Sequence, residues 1–223
     1  MDDAEAGGSL GVSTATPFQS TIIMKNIAII YFSGSGHTAL MAEAVKSGAS
    51  SVAGVDVSLI PIEGKDIVEG RYTNNEVLTQ LTAADAIIFG TPTYMAGPSA
   101  QFKAFADATG MIWFQRGWRN KIAGGFTHSG SPSGDKVVTL NYLSALAAQQ
   151  AMIWVNFPEI PSFNFGKDDG LNRFGFYTGA AGATPMNPGA PAKVDAGDLL
   201  TAETYGRHLA EVTLRFNAAP AQA

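Results

Sequence analysis

The chain has 223 residues, 46% hydrophobic and 15% charged, a net charge of -5 and no cysteine. A chain of that size can bury roughly 70% of its unfolded surface in a core. No uninterrupted apolar run approaches the roughly 18 residues of a membrane-spanning helix, and no basic stripe offers itself to a nucleic-acid backbone. Absent thiols exclude disulfides, thiolate metal sites, iron–sulfur clusters and cysteine nucleophiles. The three histidines, His37, His128 and His208, form no i, i+4 pair, so no metal site is expected.

Residues 1–23 begin acidic, turn rich in Gly, Ser and Thr, and lack the basic start and apolar run of a secretory signal. They read as a disordered extension of a cytoplasmic protein. A single domain is expected over 24–217. Short apolar runs at 27–32, 55–60, 86–90, 122–126 and 152–157 predict five strands. Between them lie helical faces: Leu40, Met41, Ala44, Val45, Gly48 and Val52 in the first, then Phe102, Phe105, Ala106 and Thr109. A helix over 136–150 presents Leu140, Leu143 and Ala147, and a last one near 198–216 presents Tyr205, Leu209, Val212 and Phe216. Residues 63–80 read as a loop and a short helix. The stretch 157–197 is crowded with Pro, Gly and aromatics, among them Phe163, Phe165, Phe174, Phe176 and Tyr177, and is expected to cover a site or form a subunit contact. Residues 218–223 read as a flexible tail. Alternating strands and helices predict an α/β fold, a doubly wound five-stranded parallel sheet of order 2-1-3-4-5 with helices on both faces.

Three loops carry the chemistry. After the first strand, Ser33, Gly34, Ser35, Gly36, His37 and Thr38 turn directly into a helix. Glycines permit the tight turn, the helix start offers unpaired N–H groups, and hydroxyls add neutral donors, which together suit a phosphate. No Gly-Lys-Ser/Thr follows, so the loop is not a P-loop; Gly34-x-Gly36-x-x-Ala39 meets a loose dinucleotide fingerprint, but no acidic residue closes the second strand. A strand-to-helix turn that binds nothing is the plain alternative. After the third strand come Pro92, Thr93, Tyr94, Met95 and Gly97, with an aromatic and a flexible thioether suited to a flat ring. After the fourth come Thr127, His128, Ser129, Gly130, Ser131, Ser133 and Gly134, rich in hydrogen-bonding groups. In this strand order all three open onto the switch-point crevice. Their joint occurrence argues for a mononucleotide with an aromatic ring, which describes FMN.

At these residues the sequence resembles the WrbA-like NAD(P)H:quinone oxidoreductases of the flavodoxin-like family, over Lys25 to about Phe216. The markers are Ser33-Gly-Ser-Gly-His-Thr38, the Ala86–Tyr94 segment with Thr91-Pro92-Thr93, the run from Asp107 to Trp113, and Ser129-Gly130. The resemblance implies a flavodoxin-like fold and FMN, its phosphate on the first loop and its ring on the second and third. It also implies NAD(P)H as electron donor, a small quinone-like acceptor, and a homodimer or homotetramer. Tyr94 and Trp113 are expected beside the acceptor, as is Gln150, which stands where related sequences carry a histidine. Ser35 replaces a bulky aromatic, and 171–177 also departs from the family pattern. A one-electron carrier serving redox proteins is the alternative, although the charge is modest for an acidic docking rim.

Overall fold

The computed structural model describes residues 24–216. The extension expected over 1–23 and the tail over 218–223 lie outside the described residues. In chain order the strands are β1 (Lys25–Tyr31), β2 (Val55–Pro61), β3 (Ile67–Val68), β4 (Arg71–Tyr72), β5 (Ala86–Tyr94), β6 (Gly97–Pro98), β7 (Ile122–Ser129), β8 (Ile153–Trp154) and β9 (Ala180–Ala183). The helices are α1 (His37–Ser50), α2 (Asn75–Ala83), α3 (Ala100–Ala108), α4 (Gly110–Phe114), α5 (Lys136–Gln149) and α6 (Ala196–Phe216).

Strands β2, β1, β5 and β7 lie side by side in parallel, in the order read from the sequence, a flavodoxin-like arrangement. The fifth position is shared. β8 pairs with the start of β7 (Ile122 with Ile153), and β9 pairs with its end (Phe126 with Ala180 through Ser129 with Ala183). The strand expected over 152–157 therefore stops at Trp154. One further ladder bond follows, from the Val155 N–H to the Ala123 carbonyl, before the chain leaves the sheet. The expected irregular stretch 157–197 accordingly contains strand β9, whose Ala-Ala-Gly-Ala sequence carries little strand propensity of its own. Within 63–80, a two-stranded ribbon of β3 and β4 precedes α2.

The central strands are apolar over their middle residues because both faces are covered there. Ile27, Ile29, Ala86 and Ile88 pack with Met41, Val45, Tyr205 and Leu209 beneath α1 and α6. Ala28, Ile30, Ile87 and Phe89 pack with Leu81, Phe102, Phe105 and Leu143 beneath α2, α3 and α5. The α1–α6 contact is backbone on backbone: a Cβ on Gly48 would stand 1.8 Å from the Glu203 carbonyl oxygen, and one on Gly206 would stand 2.0 Å from that of Val45. No helix among the described residues is long and apolar enough to cross a membrane.

Helix starts differ in how they are capped. Asn74 accepts from the Val77 N–H at the head of α2, and Ser99 accepts from the Phe102 N–H at the head of α3. The residues before α1 and α5, Gly36 and Asp135, give no side-chain cap. Both of those helices begin at the carboxyl end of the sheet, where the loops converge.

Candidate functional site

Chain reversal from β1 into α1 requires Gly36 at φ 90°, a left-handed conformation that glycine adopts without penalty. The first N–H groups of a helix have no intrahelical acceptor. Ser33 Oγ accepts that of Ala39 at 3.1 Å, which leaves the His37 and Thr38 N–H groups, on two residues that line the cavity described below, without an intrahelical partner. Ser35 Oγ lies 3.1 Å from His37 Nδ1.

The His37 ring stacks on that of His128 at the end of β7, with centroids 4.9 Å apart and planes inclined by 11°. His128 Nε2 lies 3.1 Å from Thr184 Oγ1, and that hydroxyl donates to the Lys193 carbonyl at 2.8 Å. Its single proton being used there, Thr184 accepts from His128, which places the imidazole proton on Nε2. Burial, then the neighbouring His37 and Lys136, push the His128 pKa down to about 3. The ring is neutral at physiological pH, and the first loop offers hydroxyl and backbone N–H groups at the positive end of α1.

The ends of β5 and β7 are pinned together by buried hydroxyls. Thr93 Oγ1 donates to Thr139 Oγ1 and accepts from Thr127 Oγ1, both at 2.8 Å. Beyond Thr93, Tyr94 and Gly97 pair across a two-residue turn in which Met95 and Ala96 have φ of 46° and 63°. Such a turn normally takes Asn or Gly, so two L-residues there carry strain of roughly 1–2 kcal/mol each. Met95 is fully exposed at the tip, and the Tyr94 side chain reaches back so that its hydroxyl lies over Gly34.

These parts enclose a cavity of about 610 Å³ at the carboxyl ends of the strands. Of the residues singled out from sequence, Gly34, Ser35, His37, Thr38, Pro92, Thr93, Tyr94, Met95, His128, Ser129 and Gly130 line it. Ser33 and Gly36 belong to the first loop without lining the cavity, and Thr127 is hydrogen-bonded to Thr93. Gly97, Ser131, Ser133 and Gly134 flank the walls without lining them. Trp113 lies on α4, half exposed and outside the cavity. Gln150 is buried elsewhere, its amide nitrogen donating to Thr109 Oγ1 at 2.8 Å and to the Thr109 carbonyl at 3.3 Å.

A fourth wall was not named from sequence: Thr184, Pro185, Met186, Asn187, Pro188, Gly189 and Ala190, between β9 and α6. Its signal was the Pro- and Gly-rich composition of the stretch, but nothing local tells which part of a long irregular segment reaches a site. Arg173 anchors this wall. Its Nε and Nη2 donate to Asp198 at 2.7 and 2.8 Å, and Asp198, buried at the head of α6, also accepts from the Ala183 N–H at 2.9 Å.

The site thus defines a class, a doubly wound α/β protein built to hold a mononucleotide. The fit to FMN rests on free N–H groups at an α1 start that has no acidic residue in its first turn, on hydroxyls beside them, and on mostly apolar walls around the cavity.

The chain belongs to the NADPH-dependent FMN reductase family, whose model matches residues 26–164. It is 36% identical to a protein named flavodoxin FldP from Pseudomonas aeruginosa, over 87% of this chain and all of that one. It is 32% identical to an NAD(P)H dehydrogenase (quinone) from Solidesulfovibrio magneticus, over 86% of this chain and all of that one. The crystal structure of a flavodoxin, WrbA-like protein from Agrobacterium tumefaciens superposes with a TM-score of 0.64 at 39% identity, covering 86% of this chain and 99% of that one.

Proposed function

We propose that the protein is an FMN-dependent oxidoreductase that takes a hydride from NAD(P)H and delivers two electrons to a quinone-like small acceptor. The observation that carries this reading is the cavity itself, which joins an anion-receptive helix start to apolar walls at one switch point. Ser35, His37 and Thr38 would hold the phosphate, Thr93, Tyr94 and Met95 would contact the ring and ribityl chain, and Ser129 and Gly130 would close the opposite side. FMN supplies the hydride chemistry when bound, so the protein's task is orientation and electrostatics. Tyr94 and Met95 on one lip and Met186 on the other present adaptable apolar surface to a planar acceptor. The neutral His128 neither repels nor attracts an incoming charge.

A one-electron carrier is the second reading, favoured by the similarity to a protein named a flavodoxin. Steady-state NAD(P)H oxidation separates the two. The FMN-loaded protein is expected to turn over with benzoquinone at a rate first order in enzyme. Transfer confined to a one-electron protein acceptor, with no NAD(P)H oxidation in the presence of quinone, would decide for the carrier.

A further inference from the structure

Lys136 is the first residue of α5, and none of its surface is accessible. Its ammonium donates to Ser129 Oγ at 2.9 Å and to the Ser131 carbonyl at 2.5 Å. The rings of Phe174 and Phe176 face it, with centroids 5.3 and 5.9 Å away. Among the described residues, no carboxylate lies within ion-pair distance of it. The nearest influential acid, Asp198 on α6, is already engaged by Arg173, whose own charge opposes that of Lys136. From β7, the neutral His128 faces the same space. Burial, partly offset by Asp198 and reinforced by Arg173, lowers the Lys136 pKa to about 8, so the group is charged at neutral pH.

A buried ammonium without a contact anion costs stability. Hydrogen bonds to a hydroxyl and a carbonyl hold such a charge in place but do not neutralise it. Ser129 lines the cavity, so the charge stands one hydroxyl behind the cavity wall. A fixed charge in a water-poor site acts on whatever negative charge develops opposite it.

We propose that Lys136 is a positioning residue whose buried ammonium makes the cavity bind reduced, anionic FMN in preference to oxidised FMN, an inference that rests on the FMN reading above. Hydride transfer from NAD(P)H carries two electrons and one proton, releases NAD(P)⁺ and leaves the flavin with one more negative charge, as FMNH⁻. Lys136 exchanges neither electrons nor protons with it at neutral pH. It answers the added charge across the Ser129–Ser131 wall. The phenyl rings of Phe174 and Phe176 close off water that would otherwise screen the interaction.

The test compares dissociation constants for oxidised FMN and for dithionite-reduced FMN under anaerobic conditions. Parent, Lys136→Gln and Lys136→Met proteins are measured. Gln keeps hydrogen-bond donors without the charge, and Met keeps apolar bulk without either. The parent is expected to prefer the reduced form by at least tenfold more than both variants do, equivalent to about 30 mV for a two-electron couple. If Gln restores the parent's ratio, Lys136 is a clamp for the loop and the proposal is wrong. A second measurement needs no variant: the midpoint potential of the FMN-loaded parent as a function of pH. Reduction raises the Lys136 pKa, so between about pH 8 and that raised value reduction takes up one additional proton per two electrons, and a profile parallel to that of free FMN from pH 8 upward would overturn the proposal. A parent that binds neither form defeats the FMN reading itself, whereas binding of both with equal ratios in all three proteins defeats this inference alone.

Discussion

His128 carries its proton on the nitrogen that faces Thr184 and presses its ring flat against His37, at 5% exposure. A second proton therefore has to be placed on a buried ring beside another imidazole. The unfolded chain accepts that proton near pH 6.5 and the native one only near pH 3, so the stability is present above 6.5 and is lost as pH falls from there toward 3. Each pH unit in that window costs about 1.4 kcal/mol. His128→Gln is expected to be less acid-sensitive than the parent by roughly 2 kcal/mol at pH 5, read from urea unfolding at a series of pH values. Parallel profiles for the two proteins would contradict the assignment. At this scale the first loop was legible, because Ser33 to Thr38 act through local backbone geometry. The stacking of His37 on His128 was not, since it depends on how far β7 runs past β1.

The elements that could be read were those with a strong apolar run or a helical stripe. β1, β5 and β7 announce themselves because burial on both faces demands continuous hydrophobicity. The run 152–157 announces β8 but not its end at Trp154, and β9, four residues of Ala and Gly, does not announce itself; the two complete one sheet position from distant parts of the chain. Tyr205 shows what holds that split position together: its hydroxyl donates to the Val155 carbonyl where the chain leaves the sheet, and accepts from the Gly125 N–H on β7. Gly48 was legible as part of the buried face of α1, but its approach to the α6 backbone at Glu203 was not, since nothing local marks which two helices meet. At this crossing a methyl group meets backbone that cannot rotate away. Gly206→Ala is expected to lower stability by about 1–3 kcal/mol, read as a reduced thermal midpoint, while FMN affinity per folded molecule stays unchanged. A variant as stable as the parent would mean that the helices separate at little cost.

The strand order as a whole brings loops from β1, β5, β7 and β9 to one end of the sheet, which is why residues far apart in sequence share one cavity. The order was legible from alternation, and with it the convergence of three loops; the fourth wall was hidden in the segment that splits the fifth strand. That segment also explains the fate of its aromatics. Phe174 packs against Arg173 and faces Lys136, whereas Phe163, Phe165 and Tyr177 are exposed in the single chain, as are Met111, Trp113 and Phe114 on α4. So much exposed apolar surface fits the homodimer or homotetramer that the family resemblance implies. Sedimentation at micromolar concentration is expected to give a species of two or four chains, and a strict monomer would contradict it. The proposed function depends most on FMN occupying the cavity with its phosphate at the start of α1. The direct test is titration of the apoprotein with FMN and with riboflavin, followed by flavin fluorescence, for the parent and for Ser35→Glu, which sets an exposed carboxylate at that helix start. The prediction is saturable binding of FMN at least tenfold tighter than riboflavin, with that advantage lost in the variant. Equal affinity for the two flavins, or no effect of Ser35→Glu on FMN, would contradict it.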